Sequence, residues 1–319
     1  MILSIVIPNY NGSRTLKQVI ESIFDQIPGN TEVILVDDCS TDQSVELVKS
    51  NYPSVKIYKN SSNLGAAATR NLGIKQARGD WILFVDADVV LSPGCIASLL
   101  GAIKSADIIF PTIYYPNGKI MYPINEQQEK YLLVSPIFLI RASALDLMYG
   151  QYFDETYQTY CEDTDFFLKA CLIGLVSFYE SIAQATHNID LNPRNREERY
   201  YLETRNSIYG AIKFYGIKKI NSMDHAFKSI NILKVLLCGM FNFNLFDMQA
   251  RGIDKSSDHS YNINLLLKRH ESLSERGSFA LILLQCRAIF WNIKQLQSTL
   301  NARKSMSNII FQSSKRTND

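Results

Sequence analysis

Two aspartates separated by one residue, Asp86 and Asp88, close an apolar run, Trp81-Ile82-Leu83-Phe84-Val85. Carboxylates this close repel each other unless a cation lies between them, and hard divalent cations such as Mg2+ or Mn2+ favour oxygen ligands and phosphate partners. A second acidic pair, Asp37-Asp38, ends another apolar run, Val33-Ile34-Leu35-Val36. Glu162-Asp163 opens a stretch with helical periodicity, Arg70 lies in an Ala-rich one, and His187 ends a short extended one. Backbone N–H groups and the dipole at a helix start favour an ionised carboxylate, which suits Asp163 for taking a proton from a hydroxyl. Each feature alone has a plainer reading. An Asp-x-Asp can cap a helix, an acid at a helix start can serve only the dipole, and an isolated histidine is more often structural. No Ser-His-Asp or Cys-His arrangement is apparent, and direct displacement needs no protein nucleophile.

The elements around these residues alternate. Ile2 to Ile7 is predicted as a strand that Pro8 ends, followed by the turn cluster Asn9-Tyr10-Asn11-Gly12 and a helix from Ser13 to Gln26. Glu32 to Val36 is the second strand, Ser44 to Ser50 a short helix, Val55 to Tyr58 the third strand, and Ala66 to Ala77 a helix. The strand carrying Asp86 and Asp88 comes next, and Ser92-Pro93 is expected to start a helix, with Ser as cap and Pro in its first turn. Alternation of this kind predicts a mostly parallel sheet flanked by helices, with ligands just beyond the carboxyl ends of the strands. Further on, the sequence predicts a hairpin turn at Tyr115 to Lys119, an apolar run from Leu132 to Ile140 and a short helix from Ser143 to Tyr149. A helix from Glu162 to Ile173, stopped by Gly174, and two short strands, Val176 to Tyr179 and Ala183 to His187, follow. A long polar helix is expected from about Asn192 to Phe214.

The chain has 319 residues, 46% of them hydrophobic and 20% charged, with a net charge of +2. That composition suits a globular protein of one or two domains and makes no case for nucleic-acid binding. The six cysteines lack Cys-x-x-Cys spacing, which argues against a zinc site and a disulfide framework. The start of the chain has no basic, apolar leader pattern, so the expected compartment is the cytoplasm. Beyond residue 216 the apolar segments Ile230 to Phe246 and Phe279 to Ile293 are too short and too polar to span a bilayer, and they read as helices that pack together or lie on a membrane. The basic tail from 302 to 319 is expected to be disordered.

In their order and spacing these segments resemble the inverting, metal-dependent glycosyltransferases of family 2, with the GT-A fold. The matching stretches are Ser4-Ile5-Val6-Ile7-Pro8-Asn9-Tyr10-Asn11, Val36-Asp37-Asp38-Cys39-Ser40-Thr41-Asp42, Asn63-Leu64-Gly65 with Arg70-Asn71-Leu72-Gly73, and Phe84-Val85-Asp86-Ala87-Asp88. Later ones are Phe153-Asp154-Glu155 and Cys161-Glu162-Asp163-Thr164-Asp165-Phe166. Tyr201 to Asn206 looks like a stretch of bacterial rhamnosyl- and galactosyltransferases of cell-surface polysaccharide synthesis.

The resemblance implies a glycosyltransferase domain over residues 1–216, with a nucleotide-binding half to about 110 and an acceptor-binding half after it. A helical region, 217–301, and the tail follow. It also implies roles. Pro8 and Tyr10 line the base pocket, Asp38 bonds the uracil or thymine ring, Asp37 supports its loop, and Arg70 lies near base and phosphates. Asp86 faces ribose and metal, Asp88 holds Mg2+ or Mn2+ against the diphosphate, and His187 completes the metal site in some relatives. Asp163 is the base, with Glu162 and Arg205 on the acceptor side. The implied partners are a UDP- or dTDP-linked sugar, a glycan or lipid-linked saccharide acceptor, and the inner face of the cytoplasmic membrane; the oligomeric state is left open. Two alternatives stand beside this: a sugar-phosphate nucleotidyltransferase, which would show a Gly-rich phosphate loop where Asn9-Tyr10-Asn11-Gly12 offers one glycine, and a non-catalytic nucleotide-sugar binding protein.

Overall fold

A computed structural model describes residues 3–121, 136–188, 196–220 and 278–316. The chain forms two compact units, residues 1–193 with 313–319, and residues 194–312.

In the first unit, β1 (Leu3–Asn9), α1 (Leu16–Phe24), β2 (Thr31–Asp37), α2 (Ser44–Asn51), β3 (Lys56–Lys59), α3 (Ala66–Gln76) and β4 (Trp81–Val85) follow the predicted alternation. Then come β5 (Val89–Leu91), α4 (Cys95–Gly101), β6 (Ile108–Tyr114), β7 (Ile137–Arg141), α5 (Ala142–Asp146), α6 (Glu162–Leu172) and β8 (Ser177–His187). The strands form one sheet in the order β3-β2-β1-β4-β7-β6-β8-β5. Neighbours from β3 to β4 are parallel, as are β6 and β8, whereas β7 runs against both β4 and β6, and β5 against β8.

Strand periodicity explains the layers, since successive side chains point to opposite faces. Ile5, Ile7, Leu35, Leu83 and Val85 pack with Leu16, Val19, Ile20 and Ile23 of α1 and with Ile96 and Leu99 of α4. On the other face α3 lies close against β1 and β2. A Cβ at Gly73 would come within 2.3 Å of Val6, so only glycine permits this approach. The same face carries an aromatic cluster that docks α6. Phe166 stacks on Phe153 with centroids 4.3 Å apart, and Phe167 meets Phe110 and Phe138 edge-on at 5.0 Å. Such pairs each add about 0.5–1.5 kcal/mol beyond area burial, and together they fix where the first turn of α6 begins.

Several expectations change. Pro8 does not end β1: it pairs in register with Val36, at a point where the β1–β4 ladder has already stopped at Val6–Phe84. Ser92 does not cap α4. It closes a turn through Cys95 N–H donating to its carbonyl, and the helix starts at Cys95 after Gly94. Val89–Leu91, which no periodicity announced, is a strand because it borders β8. The two strands predicted after Gly174 are one, interrupted by an irregularity opposite Pro111 and Thr112. The turn at Tyr115 to Lys119 forms as predicted, with Gly118 at φ +78°. Residues 132–135 of the apolar run and the segment Ile230 to Phe246 lie outside the described residues.

The second unit contains α7 (Arg196–Ile220) and α8 (Ser278–Arg316). Ile208 and Ile212 pack against Ile289 and Leu296, Tyr209 meets Trp291 edge-on, and Arg303 donates to the carbonyls of Lys213 and Phe214. The unit boundary therefore precedes the long polar helix instead of following it near 216. The stretch expected to be a disordered tail is helical to Arg316. Its Met306 and Ile309 are buried, and with Ala288, Asn292 and Thr299 they continue one face at helical spacing. No helix among the described residues is long and apolar enough to cross a membrane.

Candidate active site

Two turns at the carboxyl ends of β1 and β2 are stitched together. Asn9 Nδ2 donates to Asp37 Oδ1 at 3.0 Å, and Asp37 Oδ2 accepts from Ser40 N–H at 3.1 Å. Asn11, with φ +54°, accepts from Thr41 N–H at 2.8 Å and Asp42 N–H at 3.2 Å through its side-chain oxygen. Asparagine tolerates this left-handed conformation and bonds the backbone locally, which is why it serves in such turns. Tyr10, between Asn9 and Asn11 in the chain, is 46% exposed.

Asp38 is nearly buried and holds the loop before α3. Its Oδ1 accepts from Asn60 Nδ2 and Leu64 N–H and its Oδ2 from Gly65 N–H, all at 2.8 Å. A carboxylate has about four acceptor directions, so three are used by the protein. Asp38, expected to bond the base, also holds this loop, and its partner Asn60 was not singled out from the sequence. A turn-forming Asn in Asn60-Ser61-Ser62-Asn63 was the available signal.

Gly65 links this loop to the far half of the unit. At φ +91° and ψ 173° it occupies a backbone region essentially reserved for glycine. A Cβ there would lie 2.5 Å from the Gln158 carbonyl oxygen, and that carbonyl accepts from Ala67 N–H at 3.0 Å. Gln158, Tyr160 and Cys161 all have positive φ. Three such non-glycine residues immediately before Glu162 form a strained connection, of the kind that concentrates at functional sites.

Arg70, on α3, is buried and bridges the two acidic clusters. Its Nη1 donates to Glu162 Oε1 at 2.7 Å and its Nη2 to Asp86 Oδ1 at 2.8 Å, with the guanidinium 5.6 Å from the Phe153 ring. Burial alone would lower its pKa, but Asp86, Glu162 and Asp163 outweigh that and raise it. The neighbouring Asn71 bonds Phe153 through both its amide groups and reaches Glu155. Arg70, expected near base and phosphates, clamps the end of β4 to the start of α6.

Asp163 is half-buried beside this clamp, its Oδ1 accepting from Thr164 N–H at 2.8 Å. Burial and then the Glu162 carboxylate push its carboxyl up to about 8, while Arg70 and the Thr164 N–H pull the other way. The helix start favours the ionised form, but burial and the like charge outweigh it. For a general base this is an advantage, because a pKa near working pH combines availability with basicity.

Asp88 and His187 meet because β5 and β8 pair antiparallel with Val89 opposite His187. Their Oδ1 and Nε2 atoms are 3.2 Å apart, and Asn188 N–H donates to the Asp88 carbonyl at 2.8 Å. The loop between the aspartates is tied to the start of α1 by Thr15 Oγ1, which donates to the Ala87 carbonyl at 2.6 Å. No group of three or more His, Cys, Asp or Glu placed to hold a metal occurs among the described residues. Arg205, in the helical unit, is buried, with its guanidinium 4.5 Å from the Trp291 ring, and its carbonyl accepts from Asn292.

Comparison with known proteins sets this geometry in a family. The profile described as "Glycosyl transferase family 2" matches residues 4–167, about half of the chain. An uncharacterized glycosyltransferase of Haemophilus influenzae is 38% identical over 115 residues, covering 36% of this chain and 38% of the relative. The Staphylococcus aureus poly(ribitol-phosphate) beta-N-acetylglucosaminyltransferase TarS is 37% identical over 93 residues, covering 28% and 16%. These matches thus span well under half of the curated relatives' lengths. A crystal structure of S. aureus TarS in complex with UDP-GlcNAc superposes with a TM-score of 0.52 at 25% identity, over 76% of this chain and 73% of that one. The fold is the GT-A arrangement that the sequence predicted, and the chain belongs to glycosyl transferase family 2.

Proposed function

We propose that this chain transfers a sugar, with inversion, from a UDP- or dTDP-linked donor to a hydroxyl of a glycan or lipid-linked saccharide in cell-surface polysaccharide synthesis. The observation that carries the reading is the Arg70 clamp. It ties Glu162, and with it the neighbouring Asp163, to Asp86, so that the base and the diphosphate-side acids share one guanidinium. The name of TarS and its UDP-GlcNAc complex supply the donor class by analogy.

The donor side is built by residues up to about 110. Tyr10 offers an exposed ring for the base to stack on, and Pro8, two residues earlier in β1, lines the same pocket. The unused acceptor direction of Asp38 is what a uracil or thymine N3–H needs, and Asp37 keeps that loop in place. Asp86 faces the ribose side. Asp88 Oδ1 and His187 Nε2 lie 3.2 Å apart, and two protein ligands with diphosphate oxygens are how a divalent cation, Mg2+ or Mn2+, is usually held. A cation there would neutralise the charge that develops on the departing nucleoside diphosphate.

On the acceptor side, Asp163 takes the hydroxyl proton as the oxygen attacks the anomeric carbon. The new C–O bond forms as the bond to the diphosphate oxygen breaks, and the leaving group departs with that electron pair. Attack opposite the leaving group inverts the centre. Glu162, held by Arg70, fixes the first turn of α6 that presents Asp163. The protein works at the inner face of the cytoplasmic membrane, where lipid-linked acceptors are found.

A panel of UDP- and dTDP-sugars incubated with the protein and Mn2+ tests this. Release of the nucleoside diphosphate from one donor, accelerated by a glycan acceptor, is the expected outcome. Release of pyrophosphate from a nucleoside triphosphate and a sugar phosphate would mark a nucleotidyltransferase instead.

A further inference from the structure

The second unit carries a surface that the transfer reaction does not use. Helix α8 has two apolar stripes. One, through Ala288, Asn292, Thr299, Met306 and Ile309, is buried. The other, Leu283, Phe290, Ile293 and Leu300, is 54, 64, 57 and 37% exposed. At 100° per residue the buried stripe centres roughly 170° around the helix from the exposed one. One helix therefore presents two separate apolar faces, and packing against α7 accounts for one of them.

Charge identifies what the other face fits. Between Ser278 and Arg316 the helix has no Asp or Glu, while Arg287, Lys294, Arg303, Lys304, Lys315 and Arg316 make it strongly basic. The chain as a whole is nearly balanced at +2, so this is a local concentration. Lys294 and Lys304 are exposed at the apolar stripe itself. Arg287 flanks it on the Tyr201 ring, and Arg303 is turned inward to the carbonyls of α7.

We propose that this face of α8 docks on an anionic lipid surface, with Phe290 and Ile293 entering the headgroup boundary and Lys294 and Lys304 over acidic headgroups. The proposal specifies which residues make the membrane contact invoked under the proposed function, and it rests on that reading only for the membrane's identity. Apolar side chains with basic residues beside them are what bind an interface reversibly. A second copy of this chain fits the face poorly. Gln297 and Lys304 interrupt the stripe where a helix seam needs apolar residues, and two such helices would bring only like charge together.

The test is co-sedimentation of the full chain with phosphatidylcholine vesicles, with and without phosphatidylglycerol, at low and high salt. Alongside it runs nucleoside diphosphate release with a soluble acceptor. Wild type should bind the anionic vesicles, release them in high salt and ignore the neutral ones. Lys294→Gln and Lys304→Gln should each weaken binding about five-fold, from about 1 kcal/mol per basic residue. Phe290→Ser with Ile293→Ser should weaken it by more than ten-fold. Helix content by circular dichroism and release activity should be unchanged in all of them. Equal binding by wild type and the variants, or equal binding to neutral vesicles, overturns the proposal. So does a dimer in light scattering that the Phe290→Ser, Ile293→Ser pair dissociates, which would give the face to a second copy. Loss of release activity in wild type with vesicle binding intact would sink the transferase reading and leave this one standing.

Discussion

Arg70 and Glu162, 92 residues apart in sequence, are joined by a buried 2.7 Å ion pair, and the same guanidinium grips Asp86 at 2.8 Å. Each partner is needed by the others. A buried arginine with neither acid, or two acids facing each other without it, would be an uncompensated charge in a poorly hydrated place.

Removing the clamp is therefore costly. Arg70→Met should destabilise the first unit by about 3–5 kcal/mol, the scale for breaking a buried pair, and denaturant unfolding measures it. Arg70→Lys keeps the charge but lacks the fork that reaches both acids, so it should fall between wild type and Arg70→Met.

Asp163 should govern transfer. Asp163→Asn is expected to lower single-turnover transfer by about 10²-fold or more, with donor affinity nearly unchanged; normal transfer by this variant would remove it as the base.

The raised carboxyl gives that role a pH signature. With its carboxyl pushed to about 8, Asp163 is mostly protonated at neutral pH, so transfer should rise with pH through that value. Glu162→Gln removes the like charge beside it and should move the rise to lower pH. Stability runs the opposite way. The fold holds this proton more tightly than the unfolded chain does, so the associated stabilisation is full below the ordinary carboxylate range and is lost as pH climbs through about 8. Asp163→Asn should flatten that part of the stability profile.

The cation site is tested by binding. Chelation should abolish nucleoside diphosphate release, and Mn2+ should restore it. Asp88→Asn and His187→Ala should each weaken Mn2+ binding in the presence of UDP by about ten-fold or more, the scale of lost ligand-sphere groups; titration calorimetry reads this directly.

Gly65→Ala probes the loop junction. The added Cβ meets the Gln158 carbonyl and the backbone conformation excludes it. A loss of about 1–3 kcal/mol in stability is expected, with weaker donor binding because Asp38 loses its Gly65 N–H.

What the sequence determined by itself was local. Apolar runs with period two or none set β1, β2 and β4, and the helical spacing of Leu16, Val19, Ile20 and Ile23 set α1. These depend on neighbours within a few residues, so pattern alone reveals them. The tertiary structure decided what depends on distant partners. Nothing near Arg70 in sequence says that it spans to Glu162, since that requires Phe153, Phe166 and Phe167 to seat α6 against the sheet. His187 reaches Asp88 only because β5, a three-residue strand with no signal of its own, pairs with β8. The pKa of Asp163 turned on the same contacts: a helix start acts within one turn, but burial and the Glu162 charge act wherever packing puts them, and here packing was the stronger force.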